Sequence, residues 1–414
     1  MKVVDLALRL LFVLLLGAAQ LGAQGAADEQ AAAIADAVHK LAAIRPANKE
    51  LPYDVPQAAR PLLTQLKHGL RDLILDTIND PASSGVNPTQ LTRSVLQKLE
   101  AVGVEVGGKD QPEYFGGISG LEIVQPPGHP GLRAATTTLY IPCGADTSLY
   151  VLKQAGSQWT VMLAVESNDY AQVNGAQGDF GYGISKPDES GNWFLVTKYV
   201  HPWCTSRWHA IHYQVLRPGP SPTKPLVLLN HEVDNVTDQP DRLAVGKRGF
   251  TLVNVGGQSL DPAILERIHV HRHSVSVNRV TRVPPIAVIP QDFVAEWVEL
   301  PLEEARRWSN ASAMDRIESW HSRLQRGTGN DYYYSEFEFV QPCNEPPSKW
   351  QIGIWIDSKE RQDKLPPELF FSVSKRNGIF YMTDISEKRA PGCPGEAYQF
   401  HGLPWGLLEK ALNE

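Results

Sequence analysis

The sequence predicts an α+β protein with an N-terminal helical unit, an antiparallel β-rich middle and C-terminal helices packed on an antiparallel sheet. Two observations carry that expectation. Apolar residues recur at helical spacing as far as Gly103, at period two from about Tyr114, and at helical spacing again from Gln291 before a last set of β-rich runs. The order of landmarks around the only four cysteines also recurs, which points to a divergent tandem repeat of a helix-plus-sheet module. With 414 residues the chain has room for several cores. The expected division is a leader at 1–23, a helical unit at 24–110, a β-rich module at 111–290 and an α+β module at 291–414.

The leader comes first. Lys2 and Arg9 precede an apolar core from Leu10 to Leu16, and small residues lead to a cleavage point after Ala23. This is the pattern of a secretory signal, too short for a membrane span. Export places the mature chain in the periplasm or outside the cell, with no stable span after the signal is removed.

Ala27 to Ile44 reads as a first helix, with Ile34, Val38 and Leu41 on one side and Arg45-Pro46 ending it. A second runs from about Pro56 to Ile78 on a broad leucine face. In the third, Asn87 caps, Pro88 takes the first helical position, Leu91, Val95, Leu96, Leu99 and Val102 form the apolar side, and Gly103 stops the helix. Short β-rich runs follow at Leu121–Val124, Thr137–Ile141, Leu149–Lys153, Trp159–Val165, Trp193–Tyr199 and Ile211–Leu216. Arg217 to Pro225 carries four prolines and a glycine and reads as a loop or hinge. Beyond it lie strands at Leu226–Leu229, Phe250–Val255 and His269–Val283, with a short helix at Asp261–Arg267. Helices return around Phe293, Trp297, Pro301 and Ser312, and strands at Tyr332–Val340, Trp350–Ile356, Leu369–Val373 and Ile379–Ile385 complete the sheet. Gly402 to Leu412 reads as a final short helix.

In an exported chain four cysteines read as disulfides. The expected pairs are Cys143 with Cys204 and Cys343 with Cys393, because each would staple one copy of the repeat in the same way. In each run Pro-Cys is followed by a tryptophan-led strand (Trp159; Trp350), a Phe-rich segment (Phe180–Ser185; Phe370–Ser374) and a glycine-led strand (Gly191–Thr197; Gly378–Thr383). Both halves are therefore expected to share a sheet topology.

A net charge of −7 without a basic run gives no phosphate-neutralising footprint, so nucleic acid is not an expected partner. The sharpest chemical pattern is His269-Val270-His271-Arg272-His273. On a strand its three imidazoles share one face about 7 Å apart, a spacing that suits a zinc-like ion. A second group, His201, Arg207, Trp208, His209 and His212, mixes aromatic faces with donors and could line a pocket for a polar ligand. His231-Glu232 with Asp234, and Glu336 with Glu338, are carboxylate sets without a specific pattern. The glycine-rich Asn174–Gly183 reads as a hairpin tip. Asn235-Val236-Thr237 and Asn310-Ala311-Ser312 match glycosylation acceptors.

No residue set forms a coherent catalytic constellation and no cofactor is implied. The expected function is that of an exported non-catalytic binding or interaction protein with an unknown ligand or envelope partner. The alternative is a secreted metal-dependent hydrolase using His269, His271 and His273, and a third reading is a row of exposed tryptophans binding carbohydrate.

Overall fold

The computed structural model describes residues 27–108, 113–167, 171–257, 266–325, 334–344, 348–357 and 365–393. The leader, the tail helix and most of the Asp261–Arg267 helix fall outside them. The α+β class holds, and strands and helices divide into two units: residues up to Ser206 with Ala210–Glu232, and Arg207–His209 with Val233 onward.

The first unit opens with three helices: α1 at 27–42, α2 at Ala59–Asn79 and α3 at Pro88–Ala101. Asn87 caps α3, its side chain accepting from the Gln90 amide at 2.9 Å, and Gly103 takes the left-handed φ of 78° that a helix stop favours. The helix expected from Pro56 begins at Ala59, because residues 57–58 form a turn first. Two meanders follow. Strands β1 (Ile118–Val124), β2 (Leu132–Ile141), β3 (Gly144–Ala155) and β4 (Gln158–Val165) pair in chain order, as do β5 (Gly178–Ile184), β6 (Leu195–Val200), β7 (Trp208–Ser221) and β8 (Lys224–Val236).

Period-two alternation lets the first sheet serve two cores. Ala135, Leu139, Tyr150 and Leu152 pack beneath the helices with Leu66, Leu70 and Leu73. Their neighbours Ala134, Leu149 and Val151 pack instead with Ile184, Leu195 and Leu216 from the second sheet.

Two loops expected from composition are strands. The glycine-rich stretch at Asn174–Gly183 is a 3-10 turn (Val173–Gly175) followed by β5. Its glycines serve close approach: a Cβ at Gly178 would sit 3.0 Å from the Val200 carbonyl oxygen, and one at Gly181 would meet the Lys198 side chain. Arg217–Pro225 is the far end of the β7–β8 hairpin. The strand survives its prolines because β6 pairs with β7 only from Ile211 to Leu216, so Pro218 and Pro220 have no donor to supply on that side.

The second unit contains a sheet ordered β12-β11-β10-β9, from β9 (Arg242–Val245), β10 (Gly249–Gly257), β11 (Glu266–Val275) and β12 (Val280–Arg282). The single strand expected over His269–Val283 is a hairpin, turning where the Ser276 amide donates to the Arg279 carbonyl. Glu266 and Arg267, expected to close a helix, begin β11. Helices α4 (Pro290–Glu299), α5 (Leu302–Ala305) and α6 (Met314–Gln325) then lead to β13 (Tyr334–Pro342), β14 (Lys349–Asp357), β15 (Glu368–Arg376) and β16 (Ile379–Ser386), paired in chain order. Asn310 provides the capping oxygen, accepting from the Ser312 amide in front of a 3-10 turn that runs into α6. Phe293, Trp297, Trp320, Ile352, Phe371 and Met382 are buried in the core between these helices and the last sheet.

Cys143 is bonded to Cys204 and Cys343 to Cys393. The shared topology expected for the two runs does not form. Cys143 sits in the β2–β3 turn at a φ of 62°, and its run crosses two sheets from there to the segment after β6. Cys343 follows β13, and its run stays within one sheet. Two things make the difference: the extra strand β3 precedes the tryptophan-led strand, and the chain changes sheet between β4 and β5, where β14 and β15 pair directly. What does recur is helices followed by a four-stranded meander. Among the described residues no helix is long and apolar enough to cross a membrane.

Candidate functional site

Alternation along β11 places Arg267, His269, His271 and His273 on one face, with Ile268 and Val270 on the other in an apolar cluster with Val253 and Val255. The histidine face is buried, leaving the three residues 5%, 3% and 8% exposed. The His269 and His271 rings lie nearly parallel with centroids 5.7 Å apart, and His273 stacks on Phe250 of β10 at 4.8 Å. Helix α4 supplies the carboxylates. Glu296 accepts from Arg282 at 2.5 Å and lies 3.4 Å from Arg267 and 3.7 Å from His269 Nδ1, while Arg267 also donates to Glu299.

Electrostatics follow from this arrangement. Burial pushes the Glu296 carboxyl up, but Arg282, the hydrogen bond with His269 and Arg267 together hold it well below the usual carboxylate range. Burial, reinforced by Arg282, holds His271 well below the usual imidazole value. Asp292 is the exception. Burial pushes its carboxyl up to about 7 despite Arg267, and its Oδ2 accepts no hydrogen bond among the described residues. The Glu296 side chain can satisfy two guanidiniums or a cation, not both. Among the described residues no group of three or more His, Cys, Asp or Glu side chains is arranged to hold a metal ion. Chemically the cluster is a buried ion network that fixes α4 against β11 and β12.

The second sequence group separates. His201, just beyond β6, and His212 on β7 meet edge to face at 4.3 Å, and Tyr199 stacks on His212 at 5.2 Å. The Nδ1 of His201 lies 3.0 Å from the Ala176 carbonyl oxygen, and His212 Nε2 lies 3.4 Å from Glu232 of β8. Burial lowers the His212 pKa, His201 adds to the effect and Glu232 opposes it. Arg207 is committed elsewhere, to Asp238 at 2.8 Å and Glu266 at 2.6 Å. Trp208 is exposed and His209 half-buried.

His231 and Glu232 occupy β8. As consecutive strand residues they face opposite ways, His231 against Tyr213 and Glu232 against His212. Strand β13 carries Glu336 and Glu338, whose side chains lie outside the described residues. Trp203, Trp208 and Trp355 are the tryptophans with more than a third of their surface exposed among the described residues. Trp203 lies against Tyr53 in the first unit, and the others sit on β7 and β14.

Sequence reasoning missed a third cluster, in the first unit. Lys67 points from α2 into the core, where Nζ meets Asp146 Oδ2 at 2.9 Å and also donates to the carbonyl and hydroxyl of Ser167. The Ser167 hydroxyl in turn donates to Asp146 Oδ1 at 2.5 Å. Beside it Tyr150 donates to Glu166 at 2.8 Å, and His68 lies 3.4 Å from the same carboxylate. The available signal was a lysine three residues before Leu70 and four after Leu63, inside the apolar stripe.

No protein-family model matches the sequence, and no curated protein aligns with it.

Proposed function

We propose that the chain is an exported, non-catalytic binding or interaction protein of the cell envelope or exterior. The observation that carries this reading is the inward burial of the His269, His271 and His273 face, whose ionic demand is met by α4 and β12. The two disulfides support the exported setting, since such bonds persist in oxidising compartments. The half-exposed His201, His212 and Tyr199, with Trp203 over Tyr53, give the first unit aromatic and donor groups suited to a polar ligand. The recurrence of helices and a meander, α1–α3 with β1–β4 and α4–α6 with β13–β16, supports descent from a duplicated module.

Two measurements test the reading. Elemental analysis of the purified protein is expected to find no stoichiometric, tightly held zinc. One zinc per chain, lost on changing His269 and His271 to alanine, would favour the hydrolase and overturn the proposal. Expressed with its own leader in an exporting host, the mature chain is expected to begin near Gln24 by N-terminal sequencing. Full-length chain in the membrane fraction would contradict the exported state.

A further inference from the structure

The outer edge of β8 is open. Strand β8 ends its sheet, and along Lys224–Asn230 no further strand pairs with it among the described residues. The contacts His212–Glu232, Tyr213–His231 and Gln214–Asn230 fix its register on β7 and place Val227 opposite Arg217, beyond the last residue that β6 covers. Leu226 and Val227 are each 49% exposed. Consecutive strand residues point to opposite faces, so both faces are open there. The run Leu226-Val227-Leu228-Leu229 is thus four apolar residues on an unpaired edge, guarded only by Lys224 and Pro225 before it. Such an edge is a template for strand addition.

The sequence of the strand points to its occupant. We infer that the edge from Lys224 to Glu232 is a self-association surface on which a second copy of this chain adds its own β8, antiparallel and centred on Leu228. This register puts Lys224 opposite the partner's Glu232, and symmetry repeats that pair at the other end. On the opposite face Val227 lies opposite the partner's Leu229. A shift of two residues one way keeps a charge pair, Lys224 with the partner's Asp234, but sets Leu226 against the partner's Glu232; the other way it moves Lys224 opposite the partner's Asn230, so the Leu228-centred register is the one that pairs the charges without setting an apolar side chain against a carboxylate. Exposed ion pairs are weak, so they set the register while the apolar pairs and main-chain bonds supply the affinity. The Glu232 side chain is 61% exposed beside His212, which leaves it accessible to a lysine across the edge.

Sedimentation velocity of the purified chain across a concentration series tests it. The expected result is a reversible monomer–dimer equilibrium that Val227→Arg shifts to monomer with an unchanged far-UV spectrum. Lys224→Glu and Glu232→Lys should each weaken the dimer severalfold, and the double swap should restore it. Hydrogen exchange at residues 226–230 should slow as the dimer fills. A monomer at every concentration overturns the inference, as does a dimer indifferent to Val227→Arg or a double swap no better than its components. Protection in the monomer of those amides among them that point away from β7 also overturns it, since another segment of the same chain would then cover the edge.

Discussion

Replacing Lys67 with methionine is expected to destabilise the protein by about 3–5 kcal/mol, because it strips the cation from a carboxylate that stays buried. Asp146 is fully enclosed, and the Ser167 hydroxyl at 2.5 Å and the Gln177 amide at 3.3 Å, both neutral donors, do not balance its charge. Neutralising both members with Lys67→Met and Asp146→Asn should recover most of the loss, since an apolar or neutral pair carries no desolvation debt of that size. Urea unfolding of the wild type, both single variants and the double variant measures the coupling directly. Strictly additive effects, or a single-variant loss below about 1 kcal/mol, would mean that the pair is a spectator.

Asp292→Asn is expected to stabilise the protein at pH 8 and to do far less at pH 5. With its carboxyl pushed by burial up to about 7 from the ordinary 3.8, Asp292 takes up a proton on folding in the window between those values. A carboxyl raised in the folded state contributes its stability below about pH 4 and loses it as the pH rises through 7. By linkage the whole span corresponds to at most about 4 kcal/mol, reduced wherever the surroundings relax. The asparagine carries no charge, so the gap between variant and wild type should open from pH 4 and level off above 7. His271 tilts the wild type the opposite way below its ordinary imidazole range, because it stays neutral when folded and binds a proton when unfolded. Glu296, held low, contributes a loss only in stronger acid. Comparing denaturant midpoints of the two proteins at pH 5 and pH 8 isolates the Asp292 part. A gap that does not change with pH would show that the carboxyl is ionised throughout.

These two residues also show where sequence reading stops. The α+β class, α3 with its cap and stop, and the last four strands are legible because each rests on local chemistry: an asparagine oxygen at a helix start, a glycine at its end, alternation along a strand. Direction of burial is not local. The His269, His271 and His273 face follows from alternation, yet that it turns inward depends on α4, where nothing in the local pattern marks Asp292 and Glu296. In the structure that helix is buried from Gln291 to Val298, with apolar side chains in one core and carboxylates facing β11, so no single stripe describes it. Lys67 was hidden for the same reason. The prolines of Arg217–Pro225 misled because proline forbids a central strand, while the hairpin places them past the point where β6 stops. The cysteine landmarks gave the right order and the wrong topology, since spacing along a chain reveals neither an inserted strand nor a change of sheet.

The cysteines join in the order in which they occur, first to second and third to fourth, so the covalent skeleton is two rings strung on one thread. Neither ring encloses an end of the other, and no sulfur bridges the stretch from Cys204 to Cys343. One peptide-bond cut anywhere in that stretch therefore parts the molecule into two chains held by noncovalent forces alone. A cut inside either ring leaves the mass on a non-reducing gel unchanged. A protease thus meets two different substrates in the same polypeptide, one that it can sever with a single bond and one that it can only nick until a reductant opens the ring.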